Sequence, residues 1–141
     1  MNTKKKVSKV ISERQGLLFV PPKYIDGRTG TKKRPMLVVK VNSAENEISL
    51  VNITSAEGKA KCFFREDHIR IRQYEPPFIK PSYAKTSSLY VLEYFQKLDS
   101  LILYNGAPLN DMDFKNILEQ IKDTNVVKFT ESELRAFNEF N

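Results

Sequence analysis

Arg34-Pro35-Met36-Leu37-Val38-Val39-Lys40-Val41 and Glu47-Ile48-Ser49-Leu50-Val51-Asn52-Ile53-Thr54, joined by the polar Asn42 to Asn46, decide the fold. From Pro35 to Val41 the run is apolar and β-branched, the composition of a central strand. A proline is tolerated at the head of such a strand and would break its middle. The second run has the same character, and two such runs around a short polar turn predict a β-hairpin.

Outward from this hairpin the chain continues to read as short strands. Gln15 to Val20 is an apolar run closed by Pro21-Pro22, and it predicts a first strand. Lys23 to Arg34 is a loop with Gly27 and Gly30, five basic residues and one acid. Ser55 to Ala60 is a turn around Gly58. His68 to Arg72 alternates, with Ile69 and Ile71 on one face and His68, Arg70 and Arg72 on the other. Pro76, Pro77 and Pro81 then force an irregular stretch. Ser87 to Tyr94 predicts a strand and Leu101 to Tyr104 a shorter one. After Pro108 the period changes. Asn110 is suited to cap a helix, Asp111 and Asp113 fall in its first turn, and Phe114, Ile117, Leu118 and Ile121 follow at helical spacing. Thr130 to Glu133 has the spacing of a capping box and opens a second short helix. Strands first and helices late predict a mainly β, α+β fold: a small antiparallel barrel with one or two C-terminal helices. The division is a basic extension over 1–14, the barrel over 15–122 and a short helical extension over 123–141.

Size and composition agree with one soluble domain: 141 residues, 40% hydrophobic and 28% charged. Cys62 is the only cysteine and His68 the only histidine, so no cluster has metal-ligand spacing, and neither metal nor cofactor is expected. Met1 to Ser12 carries four lysines but no apolar core of signal-peptide length, and no run reaches membrane-spanning length, which makes the cytoplasm the expected compartment and no membrane an expected partner. The net charge of +6 is uneven. Residues 110–141 hold seven acids and four bases, which leaves +9 on residues 1–109. A body of that sign attracts phosphate polyanions or acidic proteins, or serves solubility alone.

Two residues are placed where they could do chemistry. Arg34 precedes a proline and is held extended at the strand's entrance. There its guanidinium could grip a phosphate through two parallel hydrogen bonds, or merely stand solvated. Thr54, at the end of the next strand, could donate to a phosphate oxygen or satisfy its own turn.

Taken together and in this order, Arg34-Pro35 opening a hydrophobic strand and an apolar strand closed by Thr54-Ser55 resemble the MazF/PemK (Kid) toxin family. His68-Ile69-Arg70-Ile71 looks like that family's later alternating strand, Ser87 to Asp99 like its small-apolar strand with an acid and a following Leu-Asp, and Asn110 to Lys122 like its closing helix. The likeness covers roughly residues 15–122. It implies an SH3-like barrel, usually a homodimer, acting as the toxin of a type II toxin-antitoxin system in the bacterial cytoplasm. Such toxins are metal-independent endoribonucleases that cut single-stranded RNA through the neighbouring 2′-hydroxyl, leaving a 2′,3′-cyclic phosphate and a 5′-hydroxyl. By this resemblance Arg34 stabilises the developing charge and Thr54 holds a non-bridging oxygen. The loop's Lys23, Tyr24, Arg28, Lys32 and Lys33, with Ser55, would bind RNA. The chain departs from the family in two places. Gly16 is followed by Leu17 where many members carry an acid, and Val91 stands where some carry an arginine. The general base is therefore open between Glu93 and His68.

The partners implied are single-stranded RNA, an acidic and partly disordered antitoxin, and a second copy of the chain. The homodimer has its own argument: Met36–Val41 and Leu89–Leu92 are apolar at consecutive positions, more than one face of a small barrel can bury. Two other readings use the same fold: a barrel that binds nucleic acid or protein without cutting, and a gyrase inhibitor of the CcdB type, in which Arg34 and Thr54 have no evident task.

Overall fold

The computed structural model describes residues 10–55, 68–71, 75–121 and 125–140. The described elements run β1 (Gly16–Phe19), β2 (Arg34–Asn42), β3 (Glu47–Ser55), β4 (His68–Ile71), β5 (Ser82–Glu93), α1 (Asp111–Gln120), β6 (Val126–Phe129) and α2 (Glu131–Phe137), with two 3₁₀ turns over Gln96–Leu101 and Leu103–Gly106. The hairpin is present, with Met36 opposite Asn52 and Val41 opposite Ile48. Its turn is made by Asn42, whose side-chain oxygen accepts from Glu45 N at 3.1 Å, and by Asn46 at a φ of 57°. Asparagine tolerates that left-handed conformation better than most residues.

The strands form one sheet in the order β1-β2-β3-β5-β4, antiparallel along that path. β5 is twelve residues long and holds the rest together. One edge pairs with β3. The other is divided: Ser82–Lys85 takes β4 antiparallel, and Leu89–Leu92 takes β6 parallel. The molecule is mainly β with a few helices, and among the described residues the sheet is open and mixed, with β1 and β4 at its ends. Among the described residues no helix is long and apolar enough to cross a membrane.

Alternation along β2 and β3 feeds two cores, one on each face. Met36, Val38, Ile48 and Leu50 face one, covered by Tyr94, Phe95, Leu98, Phe129 and Leu134. Leu37, Val39, Val51 and Ile53 face the other, covered by Phe78, Leu109, Phe114 and Ile117. Each fully buried aliphatic or aromatic side chain contributes about 1.5–3 kcal/mol relative to exposure. The consecutive apolar positions that suggested a dimer are thus already covered within one chain. The covering helices are set by their caps. The Asn110 side chain accepts from Asp113 N at 2.9 Å, and Thr130 and Glu133 form the capping box that their spacing predicts.

Four elements differ from the sequence reading. β5 begins five residues before the expected Ser87, despite Pro81, and includes the polar Lys85 and Thr86. Leu101–Tyr104 is not a strand: only Ile102 bridges to Leu17, and Tyr104, Asn105 and Gly106 follow with φ of 49°, 54° and 83°, which turns the chain away from extension. β6 lies in what was read as a helical extension and adds Val127 and Phe129 to the first core, as α2 adds Leu134. At the other terminus Ile11 is buried in that same core, and Arg14 N donates to Val38 O at 2.9 Å, so the end of the basic lead-in is packed. The turn expected at 56–60, Cys62 and Arg72 lie outside the described residues.

Candidate functional site

The β2–β3 register pairs Met36 with Asn52, so Arg34, two residues before Met36 at the start of β2, and Thr54, two residues after Asn52 near the end of β3, lie at the same end of the hairpin. Thr54 pairs in turn with Tyr83 of β5, and Asn52 with Lys85. Above them lies the loop between β1 and β2. Together these surfaces enclose a cleft of about 320 Å³: Tyr24, Arg28, Thr29 and Thr31 come from the loop, Arg34 from β2, Asn52 to Thr54 from β3 and Lys85 from β5.

Local chemistry folds the loop over the cleft. Tyr24 N donates to Arg28 O at 2.8 Å and Gly27 N to Tyr24 O at 2.9 Å, a tight turn that Gly27 completes at a φ of 89°. Asp26 accepts from Arg28 N at 3.0 Å and from Arg28 Nε at 2.7 Å. The Arg28 backbone donor, with the charges of Arg28 and Lys85, holds the exposed Asp26 carboxyl below its ordinary value. The Arg28 guanidinium stands 5.7 Å from the centre of the Tyr24 ring, and the Tyr24 hydroxyl accepts from Arg34 Nε at 3.2 Å. Beneath the loop is Tyr90. Burial pushes its phenol above the ordinary value, while a hydrogen bond from the Ile25 backbone works the other way. The Tyr90 ring stacks on Phe129 with centroids 6.1 Å apart.

One close approach fixes this loop. A Cβ on the buried Gly30 would lie 1.8 Å from the carbonyl oxygen of Pro21, a backbone atom that cannot swing away. Gly30→Ala is expected to lift the loop and cost about 1–3 kcal/mol of stability, the range of overpacking. Gly27→Ala meets nothing within 4 Å and pays only for its backbone conformation. Thermal melts of the two variants check this, and an unchanged melting temperature in Gly30→Ala would remove the Pro21 contact as the loop's anchor.

Of the residues expected in a site, the structure brings together Arg34, Thr54, Tyr24 and Arg28. Lys23 is exposed at the loop's neck, bridged to Thr29, and Lys32 is exposed beyond it. Lys33 is also exposed and faces a neighbouring cleft. Ser55 ends β3 opposite Ser82, and the backbone of His68 pairs with Lys85. Glu93 is not in the cleft. It pairs with Glu47, and Glu47 and Thr54 are seven residues apart on β3, a span of roughly 23 Å. Glu93 accepts from Glu131 N at 3.2 Å at the start of α2, and Lys128 lies 3.8 Å from Glu47, so this acidic pair is accounted for structurally.

Asn52 and Lys85 were not foreseen. Asn52 is 7% exposed, and its Oδ1 is buried with no hydrogen-bond partner among the described residues. Leaving such an acceptor unmatched costs about 1–3 kcal/mol. A signal existed: Asn52 is a polar residue inside an apolar strand, two positions before Thr54 and hence on the same face. Lys85 lay in the stretch that three prolines made look irregular. The cleft therefore combines cations from three elements, hydroxyls and one unsatisfied amide oxygen, a donor-rich surface suited to an anion with oxygen atoms on several sides. Among the described residues no group of three or more His, Cys, Asp or Glu side chains converges. No model of a known protein family matches the chain, and no curated protein matches its sequence.

Proposed function

We propose that this chain is a toxin ribonuclease of the MazF/PemK type, with an SH3-like barrel as the finer description of its sheet. The observation that carries this reading is the meeting of Arg34 and Thr54 in one cleft at the same end of the β2–β3 hairpin, under a loop that contributes Tyr24 and Arg28. The substrate is single-stranded RNA. The 2′-hydroxyl of one nucleotide gives its proton to a base and attacks the adjacent phosphorus, the bond from phosphorus to the 5′-oxygen breaks, and that oxygen takes up a proton in its place. A cyclic phosphate and a 5′-hydroxyl result.

The charge that develops on the non-bridging oxygens is what the cleft addresses. Arg34 uses Nε on Tyr24, which orients the guanidinium and leaves its two Nη groups for the phosphate. Thr54 donates a hydroxyl and Lys85 adds charge. Asn52 lines the cleft beside them. Glu93, at the far end of the sheet, has no part in this chemistry, and of the two bases that the sequence offers His68 is the one this proposal keeps. The antitoxin in this proposal is an acidic, partly disordered chain that covers the same cationic cleft and competes with RNA. A homodimer would have to form through surfaces other than the covered faces of β2 and β5.

The test is incubation of the protein with single-stranded RNA in excess chelator, followed by mapping of the ends. Cyclic phosphate and 5′-hydroxyl ends are expected. Activity that vanishes with chelator and returns with magnesium would sink the mechanism. RNA that binds but stays intact would identify a binding module without catalysis.

A further inference from the structure

A second cleft, of about 380 Å³, adjoins the first and shares Arg34 and Ile53 with it. Its walls are Leu18 of β1, Phe78 and Ile79 from the segment before β5, and Leu103 and Tyr104 from the second 3₁₀ turn. Two large side chains stay open to solvent there: Ile79 is 50% exposed and Tyr104 49%. Tyr104 has φ 49° and ψ 46°, followed by Asn105 at φ 54°. Two successive non-glycine residues in the left-handed region are unfavourable, and such conformations persist where the surroundings impose them, often at binding sites. Cations rim this apolar wall. Lys33 and Arg34 lie on one side and Lys80 on the other, and neither lysine is ion-paired among the described residues.

An exposed aromatic ring, an aliphatic neighbour and flanking cations are what a nucleotide needs: a face for its base and countercharges for its phosphates. The volume is at the lower end of small-ligand sites, which run roughly 300–1,000 Å³, and so suits one base rather than several. Continuity through Arg34 decides the occupant, because a phosphate gripped by Arg34 in the first cleft leaves its neighbouring nucleotide at the mouth of the second. Resting on the ribonuclease reading, we infer that the second cleft takes the base next to the scissile phosphate, stacked on Tyr104 against Ile79, with Lys33 and Lys80 on the adjoining phosphates. Tyr104 is then a positioning residue that supplies affinity and register.

The probe is 2′-fluoro RNA, which cannot be cut through the 2′ position, with 2-aminopurine placed at each position in turn. At one position the wild-type protein is expected to quench its emission, Tyr104→Phe to do the same and Tyr104→Ala to fail. Loss of one base stack should weaken binding roughly 5- to 100-fold. With cleavable RNA, KM rises in Tyr104→Ala while kcat stays near wild type, and Tyr104→Phe restores KM. Equal affinity of Tyr104→Ala and wild type for the 2′-fluoro RNA overturns the inference. An acidic peptide that loses affinity in Tyr104→Ala while RNA does not assigns the cleft to a protein partner and overturns it as well. If RNA binds with the Tyr104 dependence but is never cut, the base site stands and the ribonuclease reading falls. If wild-type protein binds no RNA, both fall.

Discussion

Under the proposed ribonuclease activity, Arg34→Ala is expected to lower RNA cleavage by a factor on the order of 10² or more and to leave the sheet intact. The backbone at this position is secured independently of the side chain, because Arg34 pairs with Phe19 of β1 and precedes Pro35, which keeps it extended. The side chain is half-buried and, among the described residues, its hydrogen bond goes to the Tyr24 hydroxyl, so its removal releases a surface contact without opening the core. What disappears is a fixed, permanently charged donor from the wall of the cleft. Arg34→Lys is expected to rescue poorly, because an ammonium neither reproduces the two-pronged contact nor keeps the Nε bond to Tyr24. Single-turnover cleavage measured beside a thermal melt checks both variants. A folded Ala variant that cuts at the wild-type rate would take Arg34 out of the mechanism.

A chain ending at residue 122 is expected not to fold. The segment it lacks carries Val127, Phe129 and Leu134, all buried in the first core. Truncating one large core side chain costs about 2–5 kcal/mol, so three cost about as much as the ~5–15 kcal/mol by which a whole domain is stable. The cut also strips β6 from Leu89–Leu92 and leaves a hydrophobic edge of unpaired backbone groups, a template for aggregation. Circular dichroism and urea denaturation of the 1–122 chain against the full chain decide the matter. A soluble, cooperatively unfolding 1–122 chain would show residues 123–141 to be a dispensable extension.

The parts of the fold legible in the sequence are those whose order is local. Period, proline position and turn residues gave the β1, β2 and β3 runs, and capping residues gave both helices. β6 was hidden because four residues, Val126 to Phe129, are too few for a period to show, and their partner is a parallel strand more than thirty positions earlier. The first half of β5 was hidden by Pro81 and by Lys85 and Thr86, whose polarity belongs to its place beside the cleft. At Leu101–Tyr104 an apolar run looked extended, although the following Asn105-Gly106 is itself a turn signal. In the site, Arg34 and Thr54 could be paired because one hairpin carries both. Glu93 could not be placed by spacing. β5 runs antiparallel to β3, so the residues of β5 beside Thr54 are those at its beginning, and Lys85 rather than Glu93 stands there.

The divided outer edge of β5 also has a meaning for synthesis on the ribosome. Residues 126–137 leave the ribosome after every other strand of the sheet, and β6 must find a partner strand that has by then long been made. Until it does, Tyr90 lacks the Phe129 ring behind it, and the loop that Tyr90 holds through Ile25 has no firm floor. Non-local parallel pairing is also among the slower steps a small domain can take. The cleft is therefore completed after the chain, and a growing polypeptide that already displays Arg34 and Thr54 does not yet hold them in a finished cleft beside the message that encodes it.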